Sequence, residues 1–276
     1  MLLASFDAAQ LAKGVVAAST GNHAQSVAYA AARFGAPCTI VMPEKANPAK
    51  AAAVRALGAR LVLEGAVFDE CCDIAERIAA ETGARFVNSG DEPALITGVA
   101  TATVELLERA PDLDAIFVPV GAGTGAAGAC IAAAALAPEC RVIGVQSAQA
   151  PSAHESWRTG KLVDRPNRTA IEGLSTGHAF GLPQAVMRAH LHDFLLLDDA
   201  EIRDAQRLLL SAAHTMAEGA GAAALAGLWA RREQYAGRRV GVICSGGNAS
   251  EAELAALLAG SADPSRAPAS AAATPA

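Results

Sequence analysis

Lysine is scarce in this 276-residue sequence: only Lys13, Lys45, Lys50 and Lys161 occur among 22 basic side chains, against 28 acidic ones, for a net charge of −6. No basic footprint exists to hold a phosphate backbone, which excludes nucleic acid as a partner and leaves small molecules. Long apolar runs are also absent, none reaching the roughly 18 residues that span a bilayer. The start "MLLASFDAAQ" lacks the positive n-region of a signal peptide, so the expected location is the cytoplasm. The six cysteines form no CxxC and no Cys/His cluster at metal spacing; they read as reduced thiols, with no metal site.

What is present is apolar and periodic. Hydrophobic residues make up 52% of the chain and charged ones 18%, the balance of a folded α/β protein. Strand-length runs "GVVAAS", "CTIVMP", "RLVLEG", "ARFVN", "AIFVPVG", "RVIGVQ", "DFLLLD" and "RVGVICSGG" alternate with segments of helical period. Their apolarity is continuous rather than alternating, which predicts parallel sheets covered by helices on both faces. Asn47-Pro48 predicts one helix start and Asp198 or Asp199 another; Gly35, Gly58 and Gly83 each stand just past a helical run. The Ala/Pro/Ser-rich end, residues 261–276, reads as a disordered tail.

Three glycine-bearing turns fall at carboxyl ends of strands, where doubly wound sheets bind ligands. They are "STGNHAQ" (residues 19–25), "VGAGTGAAG" (120–128) and "CSGGN" (244–248). Gly121, Gly123 and Gly125 carry no side chains to block an anion from the backbone amides, and Thr124 adds a hydroxyl; tight strand-to-helix packing explains such a turn equally well. A dinucleotide site requires an acid at the end of the following strand, and "RVIGVQS" ends in Gln146 and Ser147 instead.

Taken together, these turns, with "TIVMPEKANPAKAAAVRALGARLVL" and "AEGAGAAALAGL", resemble the threonine/serine dehydratases, pyridoxal-phosphate enzymes of the tryptophan-synthase-β fold. The stretches "GVQSAQAPSAHESWRTGK" and "AIEGLSTGHAFGLP" are similar to a branch containing threonine and hydroxyectoine-utilisation dehydratases. The resemblance implies two doubly wound parallel-sheet domains lacking an N-terminal strand and helix: a small one over residues 1–105 with the asparagine loop, and a larger cofactor-binding one over 106–260. It also implies a homodimer.

The same resemblance assigns roles. Asn22 would bond the ring hydroxyl of pyridoxal 5'-phosphate; Gly121, Ala122, Gly123, Thr124 and Gly125 would hold its phosphate; Ser245 would face the ring nitrogen. Ser19, Thr20, Gly21 and His23 would take the substrate carboxylate. A neutral hydroxyl at the ring nitrogen makes a weak electron sink, which suits β-elimination of a hydroxy amino acid, L-threonine or L-serine, to a 2-oxo acid and ammonia. Glu218 matches a position near the ring, but an acid at a helix start is expected from the macrodipole as well. The other five histidines read as ordinary surface or core residues.

Such enzymes bind their cofactor through a lysine in a Ser-Phe-Lys-x-Arg-Gly motif upstream of the asparagine loop. Here Ser5-Phe6 is followed by Asp7, Lys13 reads as a helix-end cation, and Lys45, Lys50 and Lys161 read as surface residues. The expectation is that the Schiff-base lysine belongs upstream of Met1, so that none of the residues from Met1 onward takes that catalytic role. The chain then reads as N-terminally truncated and impaired in catalysis. Two other readings stand beside it: a non-catalytic protein of the same fold binding the cofactor or another small molecule, and, from the Thr20 hydroxyl, a serine racemase side activity.

Overall fold

The structure, a computed structural model, describes residues 1–259; the expected tail at 261–276 lies outside them. Eight strands form two four-stranded sheets. The first contains β1 (Val15–Ala18), β2 (Cys38–Met42), β3 (Arg60–Leu63) and β4 (Arg85–Phe86); the second contains β5 (Ala115–Pro119), β6 (Arg141–Ser147), β7 (Asp193–Leu197) and β8 (Val240–Val242). All eight predicted strands are present and every pairing is parallel. The helices are α1 (Ala8–Lys13), α2 (Asn22–Phe34), α3 (Pro48–Ala56), α4 (Phe68–Thr82), α5 (Pro93–Arg109), α6 (Thr124–Leu136), α7 (Ser152–Thr159), α8 (Gly181–His190), α9 (Asp199–Ala212), α10 (Gly219–Ala230) and α11 (Glu251–Ala259).

Alternation along each strand explains the continuous apolar runs. Val15 and Ala17 of β1 pack under α2 and α3, while Val16 and Ala18 face α4. In the second sheet Ile116 and Val118 of β5 meet α6, while Ala115 and Phe117 meet α10. The central strands β1 and β5 are buried on both faces, so neither face is polar, while the edge strand β3 and the short β4 are partly exposed. α10 is apolar nearly all round because it is enclosed, while α6 leaves Ile131 and Leu136 exposed; small residues let both helices pack closely: a Cβ on Gly128 would lie 2.9 Å from the Ala100 amide of α5, and one on Gly227 would lie 2.4 Å from Val145 Cγ2. Helix α5 runs across the expected junction at residues 105 and 106 and packs on α6 of the second sheet.

Local signals place the helix ends. The Asn47 side chain accepts from the Ala49 amide with Pro48 at the first helical position. Asp198 and Glu201 form a reciprocal capping box at the start of α9. Gly35, Gly58 and Gly83 all have positive φ. At the start of the chain Met1 is exposed, while Leu2 and Leu3 directly after it are buried in the core of the first sheet, in a 3₁₀ turn that packs on α2.

The strand orders are β3-β2-β1-β4 and β7-β6-β5-β8. Each sheet winds outward in one direction and then returns to the other side of its first strand. That leaves one crevice at the carboxyl ends of β1 and β4 and another at those of β5 and β8, the two switch points at which such sheets take ligands. Burial pushes the thiols of Cys38 and Cys71 up to about 11 and that of Cys130 up to about 12, so these cysteines are packing residues rather than nucleophiles. Among the described residues no helix is long and apolar enough to cross a membrane.

Candidate functional site

The first glycine turn leaves β1 and enters α2. Ser19 is held by its amide on the Val41 carbonyl at 3.2 Å, and its Oγ accepts from the Gly21 amide at 3.1 Å. Thr20 and Gly21 are half-buried, and Asn22, which opens the helix, is exposed. His23 turns the other way, with Nε2 3.2 Å from the Val87 carbonyl. Burial pulls its pKa below the usual imidazole value, and the carbonyl contact offsets this only in part. A neutral ring donating Nε2–H to Val87 is the consistent state.

The second turn leaves β5 and enters α6. Gly123 has φ +95°, a conformation that glycine adopts without strain, and a Cβ on Gly121 would lie 2.7 Å from the Gly173 carbonyl oxygen. Ala122 is half-buried between them. Thr124 begins the helix and donates its hydroxyl to the Ser89 carbonyl at 2.7 Å, tying the loop to the first sheet. The Cβ side of Gly125 is open. The first-turn amides of α6 thus start beside a loop stripped of side-chain bulk.

The third turn follows β8. Ser245 is exposed there, and the buried Asn248 Nδ2 has no hydrogen-bond partner. Gly246 is the point of closest approach: a Cβ on it would lie 2.1 Å from Glu218 Oε1 and 2.8 Å from Asn22 Nδ2. Its carbonyl accepts from the Glu218 amide at 3.1 Å, and Asn22 Nδ2 donates to Glu218 Oε1 at 2.5 Å. The first and third turns therefore meet on Glu218, which holds the N-terminal cap position of α10.

Glu218 is only 5% exposed, and its carboxyl is raised above the usual range. Burial is the main cause; Asn22 and Lys50 oppose it, while Glu253 and Glu172 add to it. Lys50 corrects the surface reading: it is 6% exposed and its ammonium pairs with Glu172, joining α3 to the far side of the cleft. Lys13, Lys45 and Lys161 are exposed, as expected. The expected position of a Schiff-base lysine, upstream of Met1, lies outside this sequence, and Met1 itself, 66% exposed, belongs to none of the three turns. His178 is half-buried, its ring edge-on to Phe180 at 4.7 Å in the crevice beside β1 and β4. No local pattern marks Lys50, Glu172 or His178 in the sequence, because each is defined by a residue far along the chain or by a loop without period.

A family model described as pyridoxal-phosphate dependent enzyme matches residues 1–246. The chain is 39% identical over 86% of its length to an L-threonine ammonia-lyase of Thermotoga maritima, spanning 59% of that protein. It is 37% identical over 94% of its length to an L-threo-3-hydroxyaspartate ammonia-lyase of a Pseudomonas species, spanning 81% of that protein. Among solved structures, the processed form of threonine deaminase isoform 2 from Solanum lycopersicum superposes with a TM-score of 0.90 at 31% identity, covering 94% of this chain and 77% of that one. With both parallel sheets and the three turns as far as Gly246 inside the matched region, the chain belongs to the pyridoxal-phosphate-dependent enzymes of the tryptophan-synthase-β-like fold.

Proposed function

We propose that the protein catalyses β-elimination from a small hydroxy amino acid, releasing ammonia and a 2-oxo acid, with L-threonine and L-serine as the simplest substrates. The observation that carries this reading is the convergence of Asn22, Glu218 and Gly246, with Gly173 packed between Gly121 of the second turn and Ala220 of α10.

Pyridoxal 5'-phosphate fits the residues present. The loop of Gly121, Ala122, Gly123, Thr124 and Gly125 has the open backbone and helix start that a phosphate needs, and Gly123 adopts a backbone that side chains disfavour. Asn248 offers a buried amide nitrogen without a partner at the third turn. In this proposal Asn22 takes the ring hydroxyl, the 121–125 loop the phosphate, and Ser245 the ring nitrogen. When bound, the cofactor supplies an electron sink for the bonds at the substrate α-carbon.

The chain's own groups do the rest. Ser19, Thr20 and Gly21 present hydroxyls and amides to the substrate carboxylate, and His23, held neutral and tied to Val87, fixes the start of that loop. Glu218, whose carboxyl burial raises above the usual range, is a group that can hold a proton beside Asn22. Lys50 is the lysine buried at this cleft, and its pairing with Glu172 makes it a structural cation. Homodimer formation and a cytoplasmic location belong to the same proposal.

The test is direct. Purified protein with the cofactor and L-threonine or L-serine should release ammonia and the matching 2-oxo acid in equal amounts. Cofactor binding with no release would favour the binding-protein reading, and D-serine formation would favour racemisation.

A further inference from the structure

Beside the asparagine loop lies a second recess, at the switch point between β1 and β4. It has a volume of about 230 Å³ and is lined by Ala18, Phe68, Cys72, Phe86, His178 and Phe180, among others. It shares a wall with the proposed substrate loop: Ala18 directly precedes Ser19, and Val87, also on its wall, carries the carbonyl that faces His23. The recess therefore adjoins the loop proposed for the substrate carboxylate.

Phe68, Phe86, His178 and Phe180 give it aromatic walls, Asn88 and Ser89 add neutral polar groups, and Asp73 and Glu76 add acids. His178 stands edge-on to Phe180 at 4.7 Å and stacks on Phe68 at 6.3 Å. Phe180 is buried with its ring pressed on the backbone of Gly90, where a Cβ would lie 2.1 Å from its Cγ. Asp73 and Glu76, also on the wall, are exposed and share a face of α4, and among the described residues no lysine or arginine lines the recess. A volume above the ~150 Å³ that holds a benzene molecule leaves room for a six-membered ring.

We propose that this recess receives the β-substituent of the substrate and selects an aryl or comparably large neutral group, while the acids at its mouth reject a second carboxylate. The inference rests on the proposed function and narrows it: β-aryl-β-hydroxy amino acids are preferred over threonine and serine, and 3-hydroxyaspartate is excluded. Apolar burial and edge contacts favour the ring, whereas a carboxylate would enter without a cation and against two like charges.

Binding of amino acids that lack the β-hydroxyl tests this apart from turnover. With cofactor binding established by equilibrium dialysis, L-phenylalanine, L-alanine and L-aspartate are titrated calorimetrically. Phenylalanine should bind about tenfold or more tighter than alanine, and aspartate weaker than alanine. Phe180→Ala should remove most of the phenylalanine preference, and Cys72→Arg should weaken phenylalanine while strengthening aspartate. If the cofactor and alanine bind but phenylalanine gains nothing, or aspartate binds best, the specificity inference is wrong and the proposed function stands. If alanine fails to bind with cofactor present, both fall.

Discussion

Nδ2 of Asn22, at the start of α2, donates to Oε1 of Glu218, at the start of α10, across 196 positions of chain and a distance of 2.5 Å. The bond joins the two sheets at the point where the cofactor ring is proposed to lie. A buried carboxyl with a raised pKa therefore stands opposite the one side chain assigned to the ring hydroxyl.

This carboxyl sets a pH dependence. Its folded pKa lies above the unfolded value near 4.5, so between the two the folded state holds the extra proton and stability falls as pH rises. Glu218→Gln should remove that slope and raise the melting temperature at pH 7, while weakening any proton transfer beside Asn22. Thermal melts from pH 4 to 8 check it; an unchanged slope would mean that Glu218 titrates normally.

The histidines act in the opposite direction. His23 and His154 both have lowered pKa values, chiefly through burial, so below the unfolded value of 6.5 the unfolded chain binds more protons and stability drops. His154 packs edge-on to Phe194 at 5.3 Å with its buried Nδ1 unpartnered, so His154→Phe should stabilise the protein and flatten the acid limb of a denaturation series. His23→Gln should flatten that limb too.

Two glycines of the second turn should separate folding from binding. Gly123→Ala forces a side chain to φ +95° and sets a Cβ 3.0 Å from both Met187 Cε and Pro183 Cβ, which should cost about 1–3 kcal/mol of stability. Gly125 has neither constraint. Gly125→Ala should keep the melting temperature within a degree or so, yet weaken cofactor affinity by crowding the phosphate, measured by dialysis.

The Lys50–Glu172 pair should behave as a buried contact although Glu172 is 55% exposed. Glu172→Gln leaves an ammonium 6% exposed with the carboxyl of Glu218 still within its field, an expected loss of about 1–3 kcal/mol. Lys50→Met should push the Glu218 carboxyl further up and shift the pH slope described above to higher pH. Urea denaturation of both variants provides the comparison.

The strands and the loops were legible because they depend on local pattern. Val15–Ala18 and Ala115–Pro119 are apolar at every position because helices cover both faces, and Gly35 and Gly83 end helices through their own backbone freedom. The partners of the site were not legible in the same way. Lys50 sits in the first turn of a helix whose neighbours are polar or small, and its burial comes with Glu172, 122 positions away. Glu218 has the ordinary place of an acid at a helix start, and its meeting with Asn22 exists only once the sheets face each other. His178 and Phe180 lie in a loop with no period, so the aromatic recess left no trace in hydrophobic pattern.

Amide hydrogen exchange with and without pyridoxal 5'-phosphate tests the central claim most directly, using inorganic phosphate as the comparison. The account predicts slowed exchange in residues 19–23, 121–127 and 245–248 with the cofactor, and in 121–127 alone with phosphate. Protection confined to other segments, or none at cofactor concentrations that bind, would contradict a site built from these three loops.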